Sequence, residues 1–286
     1  MDPFLLPAAE RWREARLSVY TKSEKRWLKA ELHAHCNADP IDYRACQHTA
    51  EELISNAAGL GYEILAITCH NLDIWTDELS EYAANLGITL IPGMEVTTER
   101  TRHTLVYNFH AEAKDLSTLD KIRNLSREDT LVIAPHAFFP GTLCLKGLLE
   151  KNLDLFDAIE YSGFQVRGLN FNRRSELLAA KSRKPLVGNG DVHYLWQLGR
   201  TFTWVYSEPG MQPIIKAVKQ GLVRVQKSPL TWFEAAKWWA ISYWRDAFPA
   251  NRAPCMPVMG DSTAALQSNK VEDGRRFGPA EEGVEP

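Results

Sequence analysis

The chain has 286 residues, 45% of them hydrophobic and 24% charged, enough to bury the core of one α/β domain with short extensions. A formal net charge of −3 and a pI near 6.3 provide no basic excess for long duplex DNA, so an anionic ligand has to be captured locally. Five cysteines, Cys36, Cys46, Cys69, Cys144 and Cys255, without a C-x-x-C pair argue against a disulfide framework or a structural zinc cluster and fit a reducing cytoplasm.

Residues 1–26 read as a charged, helix-compatible arm. Glu10, Arg11, Arg13, Glu14 and Arg16 stand where an apolar stretch would have to run, so neither a signal peptide nor a spanning helix is expected. A first strand is predicted at Trp27 to His33. Thr49-Ala50-Glu51-Glu52 before Leu53, Ile54, Ala57 and Leu60 is a capping-box start to an amphipathic helix, stopped by Gly59 and Gly61. Strand Ile64 to Thr68 follows, then a helix near Asp77 to Leu86 and strands Thr89 to Ile91, Thr104 to Phe109, Thr130 to Ala134 and Ala158 to Tyr161. A helix near Leu169 to Ala180 and strands Pro185 to Gly188 and Thr201 to Tyr206 complete the series. Six or more such units favour a closed or distorted α/β barrel over an open sheet.

From residue 230 to 250 the chain crowds Trp232, Phe233, Trp238, Trp239, Tyr243, Trp244 and Phe248 into a predicted helix. It reads first as packing on the barrel and second as an interfacial helix touching a membrane surface or a partner through Trp232 to Phe248. Residues 251–286, rich in Pro, Gly and acidic residues, are expected to be disordered.

Histidines and carboxylates recur at the ends of the apolar runs: Glu31-Leu32-His33-Ala34-His35, Thr68-Cys69-His70-Asn71, Gly93-Met94-Glu95, Ala134-Pro135-His136 and Gly190-Asp191-Val192-His193. The end of a buried parallel strand lies at the rim where α/β proteins place their chemistry. His33 and His35, two apart in a strand, point to one face and can grip one ion. A lone His-x-His is commonplace, but with His70, Glu95, His136, Asp191 and His193 at neighbouring strand ends the buried charge would be costly without a metal to neutralise it.

These five motifs, in this order, resemble the PHP family, named for its polymerase and histidinol phosphatase members, from about Trp27 to Ser228. The resemblance implies a domain over 27–229 built as a distorted seven-stranded (β/α)7 TIM-like barrel, holding two or three divalent ions, zinc, manganese or iron, that hydrolyse phosphoesters. It places His33, His35 and Asp191 on a first ion, Glu95 as a bridge, His103 and His136 on a second ion, and His70 and His193 on a third. Glu95, Asp191 and His193 are the expected catalytic residues, acting with a water deprotonated between two ions.

Two departures stand out. The family's Thr-Asp-His-Asn is here Thr68-Cys69-His70-Asn71, and Cys69 is expected to face away from the site as a buried thiol. The Asp or His that the family sets five or six residues after the second histidine is missing at that offset; Asp39 is assigned to the ligand set, with Asp42 and His48 as alternatives. Arg167, Arg173 and Arg200 are candidates for the substrate phosphate, which a guanidinium grips through two parallel hydrogen bonds. The short stretch between His103 and His136 has no room for a nucleotide-binding insertion, so the expected substrate is a small phosphate monoester or nucleotide. A 5′-to-3′ exonuclease on short oligonucleotides and a catalytically weak regulatory module are the alternatives.

Overall fold

The computed structural model describes residues 24–237 and Ala240. Most of the expected 1–26 arm, most of the 230–250 aromatic helix and the whole 251–286 tail lie outside the described residues; residues 232–237 are helical. The chain divides into two units, Met1–Met256 and Pro257–Pro286, and all described residues belong to the first.

In chain order the elements are β1 (Arg26–Glu31), α1 (Ala50–Gly59), β2 (Ile64–Ile67), α2 (Asp77–Asn85), β3 (Thr89–Thr98), β4 (Arg102–Tyr107), α3 (Leu119–Arg123), β5 (Leu131–Ala134), α4 (Gly147–Lys151), β6 (Ala158–Ser162), α5 (Arg173–Ser182), β7 (Leu186–Asn189), β8 (Phe202–Ser207), α6 (Met211–Lys219) and β9 (Val223–Gln226). β2, Ile-Leu-Ala-Ile, and β5, Leu-Val-Ile-Ala, are buried at every position, as strands covered on both faces must be. α1 opens on the expected capping box: Thr49 accepts from the Glu52 amide while the Glu52 carboxylate accepts from the Thr49 amide. Its buried Leu53, Ile54 and Ala57 share an apolar cluster with Leu65 and Ile67 of β2.

The sheet runs β7-β6-β5-β4-β3-β2-β1-β8-β9. β1, β2 and β3 are parallel, as are β5, β6 and β7; β4 runs antiparallel between β3 and β5, and β8 antiparallel to β1. Nine strands therefore form this nearly closed sheet, where the resemblance implies seven. β3 extends well beyond the expected Ile91. Pro92 and Gly93 lie where pairing with β2 ends, at Ile67 opposite Pro92, and pairing with β4 begins, at Gly93 opposite Tyr107. No central ladder is interrupted there, so residues that read as a stop are accommodated. β9, Val-Arg-Val-Gln, is an outer strand with alternating exposure.

Closure joins the two ends of the sheet at two heights. Beyond β1 and β7 the chains pair once more, with the His35 amide donating to Val192 O (2.9 Å) and the Val192 amide to His33 O (3.0 Å). Lower down, Gly188 of β7 presses against β8 and β9. Its amide donates to Thr203 Oγ1 and the same hydroxyl donates to Gly188 O, both at 2.8 Å, so a side chain supplies what backbone pairing does not. A Cβ at Gly188 would lie 2.5 Å from Val225 Cγ1 and 3.0 Å from Phe202 O. The interior is filled by Leu28, Ala30, Ile64, Ala66, Ile91, Leu105, Ile133, Ala158, Val187 and Val205.

Gly188→Ala is therefore expected to lower stability by about 1–3 kcal/mol through overpacking at this seam, read as a lower urea midpoint at unchanged slope.

Candidate metal centre

β1, β2, β5 and β7 each stop two or three residues before a histidine or aspartate of the set. His33 and His35 follow β1, His70 follows β2, His136 follows β5, and Asp191 and His193 follow β7. His136 and Asp191 have positive φ, 27° and 48°, as has Asn71 at 55°, so the chain turns sharply at each point. Gly190 allows one such turn: its amide donates to both carboxylate oxygens of Glu31, at 2.9 and 3.0 Å, and a Cβ there would lie 3.0 Å from Glu31 Oε2. Glu95 and His103 come from the β3–β4 hairpin, where Thr97 is opposite His103 and Glu95 opposite Leu105.

Glu95, buried to 1% exposure, is at the centre. Its Oε1 faces His103 Nδ1 at 2.8 Å and His136 Nε2 at 3.1 Å; its Oε2 faces the Nε2 atoms of His70, His33 and His35 at 3.1, 3.2 and 3.4 Å. The two oxygens thus divide five imidazoles into two groups. Asp191 Oδ1 lies 3.4 Å from both His33 Nε2 and His35 Nε2.

The tautomers follow from the outer partners. His33 Nδ1 meets Glu160 Oε2 at 2.8 Å and His35 Nδ1 meets Asp39 Oδ2 at 2.8 Å, so each Nδ1–H donates outward and each Nε2 presents a lone pair inward. Those two Nε2 atoms are fully buried and have no hydrogen-bond partner. Lone pairs facing carboxylate oxygens at 3.2–3.4 Å repel unless a cation lies between them. Ligand atoms held at the usual 2.0–2.2 Å in tetrahedral geometry are separated by about 3.3–3.6 Å. His33, His35 and Glu95 therefore fit a divalent ion in separation, in donor chemistry and in the burial of their inward nitrogens, and Asp191 Oδ1 approaches the same two nitrogens.

Asp39, expected as a ligand, groups with His35 and His70 as residues that could hold an ion, and it is also tied into the surrounding loop. Its Oδ1 accepts the amides of Ile41 and Asp42, both at 2.8 Å, and its Oδ2 accepts His35 Nδ1 (2.8 Å), the His70 amide (2.8 Å) and His70 Nδ1 (3.0 Å). Asp39 orients histidines. Asp42 also reaches the cluster, with Oδ2 2.9 Å from His193 Nε2 and 3.6 Å from His70 Nδ1, while His193 Nδ1 is held by Asp191 O at 3.0 Å. His48 is tied through Nε2 to His35 O at 2.8 Å.

Of the three arginines, Arg200 is bound to Glu234, whereas Arg167 and Arg173 are exposed. A cavity of about 660 Å³ lies at the opposite end of the barrel, lined by Tyr206, Gln212, Lys216 and Leu222 among others, and none of the site residues borders it. Side-chain exposure rises from 0% at His33 to 25% at Asp191 and 35% at Asp42, so the cluster opens to solvent on the Asp191–Asp42 side.

Burial opposes charge on Glu95, Asp191, His70, His136 and His193, and their neighbours overrule it. His103, His33 and His70 hold Glu95 well below the usual carboxylate range, and His33 and His193 do the same for Asp191. Against the same desolvation, Glu95 and Asp39 raise His70 to about 11, the Cys144 contact and Glu95 raise His136 to about 10, and Asp191 and Asp42 raise His193 to about 9. Glu31 behaves in the opposite way: burial pushes it up to about 8, against the amides of Gly190 and His33.

Residues 170–223, which carry Asp191 and His193, match the PHP-associated family model. No curated protein matches it in sequence. Among solved structures it is similar to PsfC from Pseudomonas syringae PB-5123, at 15% identity and a TM-score of 0.49 over 78% of this chain and 99% of that one. It is also similar to a Bifidobacterium adolescentis protein named for metal-dependent phosphoesterase activity (16%, TM-score 0.42, 70% and 97%) and to an amidohydrolase from Chromobacterium violaceum (16%, TM-score 0.45, 68% and 97%). Likenesses of this size carry no argument about function.

Glu160 is a site residue that the sequence analysis did not single out. Its Oε2 receives His33 Nδ1 and Asn189 Nδ2, and its Oε1 receives the His136 amide. A fully buried acid inside the apolar strand Ala158–Ser162 is the signal that marks it.

In metal-free protein, histidines whose folded pKa values are raised to about 9–11 contribute stability that is full below the unfolded histidine pKa of about 6.5 and lost as pH rises through 9–11. Glu31, raised to about 8, adds a loss between about 4.5 and 8. We expect the metal-free denaturation midpoint to fall steadily from pH 6.5 to 10, and zinc addition at pH 7.5 to release protons, measured by calorimetry in buffers of different ionisation enthalpy.

Proposed function

We propose that this protein is a metal-dependent hydrolase that cleaves phosphate esters, acting on a small monoester or nucleotide. The observation that carries the reading is the division of the Glu95 carboxylate: one oxygen faces His33, His35 and His70, the other His103 and His136, as a bridge between two ions requires. In this reading His33, His35, Glu95 and Asp191 hold one ion and Glu95, His103 and His136 a second. Asp42 joins His193 and His70 in a third group. Bound ions of this kind activate water and neutralise phosphoryl oxygens, which is the chemistry the site would gain from them. Zinc, manganese and iron all suit imidazole and carboxylate donors.

The chain's own residues do the rest. Glu160 and Asp39 lock the tautomers of His33 and His35, so that the inward nitrogens are presented without rearrangement. The solvent-facing side at Asp191, His193 and Asp42 is where a phosphate would enter. Arg167 and Arg173 remain the candidates to grip it, and Arg200 would first have to leave Glu234. The exonuclease and the weak regulatory module remain the competing assignments, and the compact stretch between His103 and His136 favours the small ester.

The test is a turnover screen over phosphomonoesters, a phosphodiester and a short oligonucleotide in the presence of manganese or zinc. Monoester turnover that Glu95→Ala and Asp191→Ala both abolish is the expected result. Unchanged turnover in either variant would overturn the reading, and preference for the oligonucleotide would move it to a nuclease.

The two loop aspartates separate by a second measurement. Asp42→Ala should lower bound metal by about one ion with little loss of stability. Asp39→Ala, which strands the outer nitrogens of two buried histidines, should cost about 3–5 kcal/mol in denaturant titration.

A further inference from the structure

Cys69 stands where the resemblance calls for aspartate, and the phosphoesterase reading gives it no task. It is fully buried on the helix side of the sheet, in one apolar cluster with Cys36 and with Leu53, Ile54 and Ala57 of α1. The Sγ atoms of Cys36 and Cys69 are 3.6 Å apart. They follow neighbouring parallel strands, β1 and β2, and the Thr68 amide donates to Ala34 O at 2.7 Å just before them. Adjacent strands lie about 4.8 Å apart, within the roughly 4.4–6.8 Å between Cα atoms that a disulfide spans.

Each cysteine immediately neighbours a histidine of the metal cluster, Cys36 beside His35 and Cys69 beside His70. The two imidazoles stack at 4.8 Å between centroids and share Asp39 Oδ2. Joining the sulfurs would bring them from 3.6 Å to about 2.05 Å, a movement of about 1.5 Å. Metal sites tolerate deviations of only about 0.2 Å in ligand distance. A shift of that size transmitted to His35 and His70 disturbs the Nε2 atoms that meet Glu95 Oε2.

We propose that Cys36 and Cys69 form a reversible disulfide under peroxide, and that this bond lowers the metal affinity of the cluster. One thiol, as thiolate, attacks a peroxide oxygen, and the O–O bond breaks to leave a sulfenic acid and, once the departing hydroxide takes the thiol proton, water. The second sulfur then attacks the sulfenic sulfur and expels the oxygen as a second water. Two thiols lose two electrons and two protons, and one peroxide is reduced to two waters. The pair is shielded from bulky reagents, so a small uncharged peroxide is the matching oxidant. The effect on metal rests on the metal-centre reading; the disulfide itself does not.

The test uses the full chain, reduced, loaded with zinc and desalted. Its bound zinc is measured first, so that absence of zinc in reduced protein refutes the metal-centre reading and with it the proposed effect on affinity. The protein is then titrated with hydrogen peroxide, blocked with an alkylating agent and digested without reductant. A Cys36–Cys69 cross-linked peptide, zinc release in proportion to it, and reversal of the cross-link by dithiothreitol are expected. Cys36→Ala and Cys69→Ala should each abolish both the cross-link and the release, while keeping the zinc content of the reduced protein. Free Cys36 and Cys69 after Cys144 has been oxidised would overturn the proposal. A complete cross-link with zinc retained would overturn it as well.

Discussion

The carboxylate of Glu95 is the group on which the arrangement of this molecule turns. A charge with 1% exposure in a barrel mouth is untenable alone, and five imidazoles converge on its two oxygens. Those imidazoles come from β4 and from the chain just beyond β1, β2 and β5, so a single side chain relates distant parts of the sheet. Yet the lone pairs of His33 and His35 point inward at it, because Glu160 and Asp39 have already claimed their protons. The site is electrostatically complete only with a cation, or with extra protons in its place, and the raised pKa values of His70, His136 and His193 show what the protein does without one.

That requirement explains where the barrel closes. Asp191 meets His33 and His35 because Val192 pairs with the backbone on either side of Ala34, so the same two hydrogen bonds join the ends of the sheet and position a ligand group. Gly190 lies at this junction against Glu31, a buried acid whose carboxyl burial pushes up to about 8 and whose two oxygens accept the Gly190 amide. Stability and function are therefore coupled through one seam, and substitutions that loosen it act on both.

Much of this was legible in the chain. Apolar runs ending in His or Asp located the rim, and His33, His35, His70, Glu95, His103, His136, Asp191 and His193 all meet there. A continuous apolar run was sufficient for β2 and β5. What sequence alone did not determine was set by tertiary geometry. The choice between Asp39 and Asp42 depends on how a tight loop directs two carboxylates three residues apart: one is saturated by amides and imidazoles, the other is half open to solvent. Arg200 read as a free cation, and its partner Glu234 lies far along the chain. Glu160 was hidden because its partners come from three other segments, and β9 because four alternating residues carry little signal.

The central claim is that His33 Nε2, His35 Nε2, Glu95 Oε2 and Asp191 Oδ1 enclose a divalent ion. Anomalous diffraction at the zinc edge, from crystals grown with zinc, tests it most directly. The account requires a peak about 2.0–2.2 Å from all four atoms, with Glu160 and Asp39 still bonded to the outer nitrogens of the two histidines. Histidines that instead donate directly to Glu95 and Asp191, with no anomalous peak among the four atoms, would contradict it.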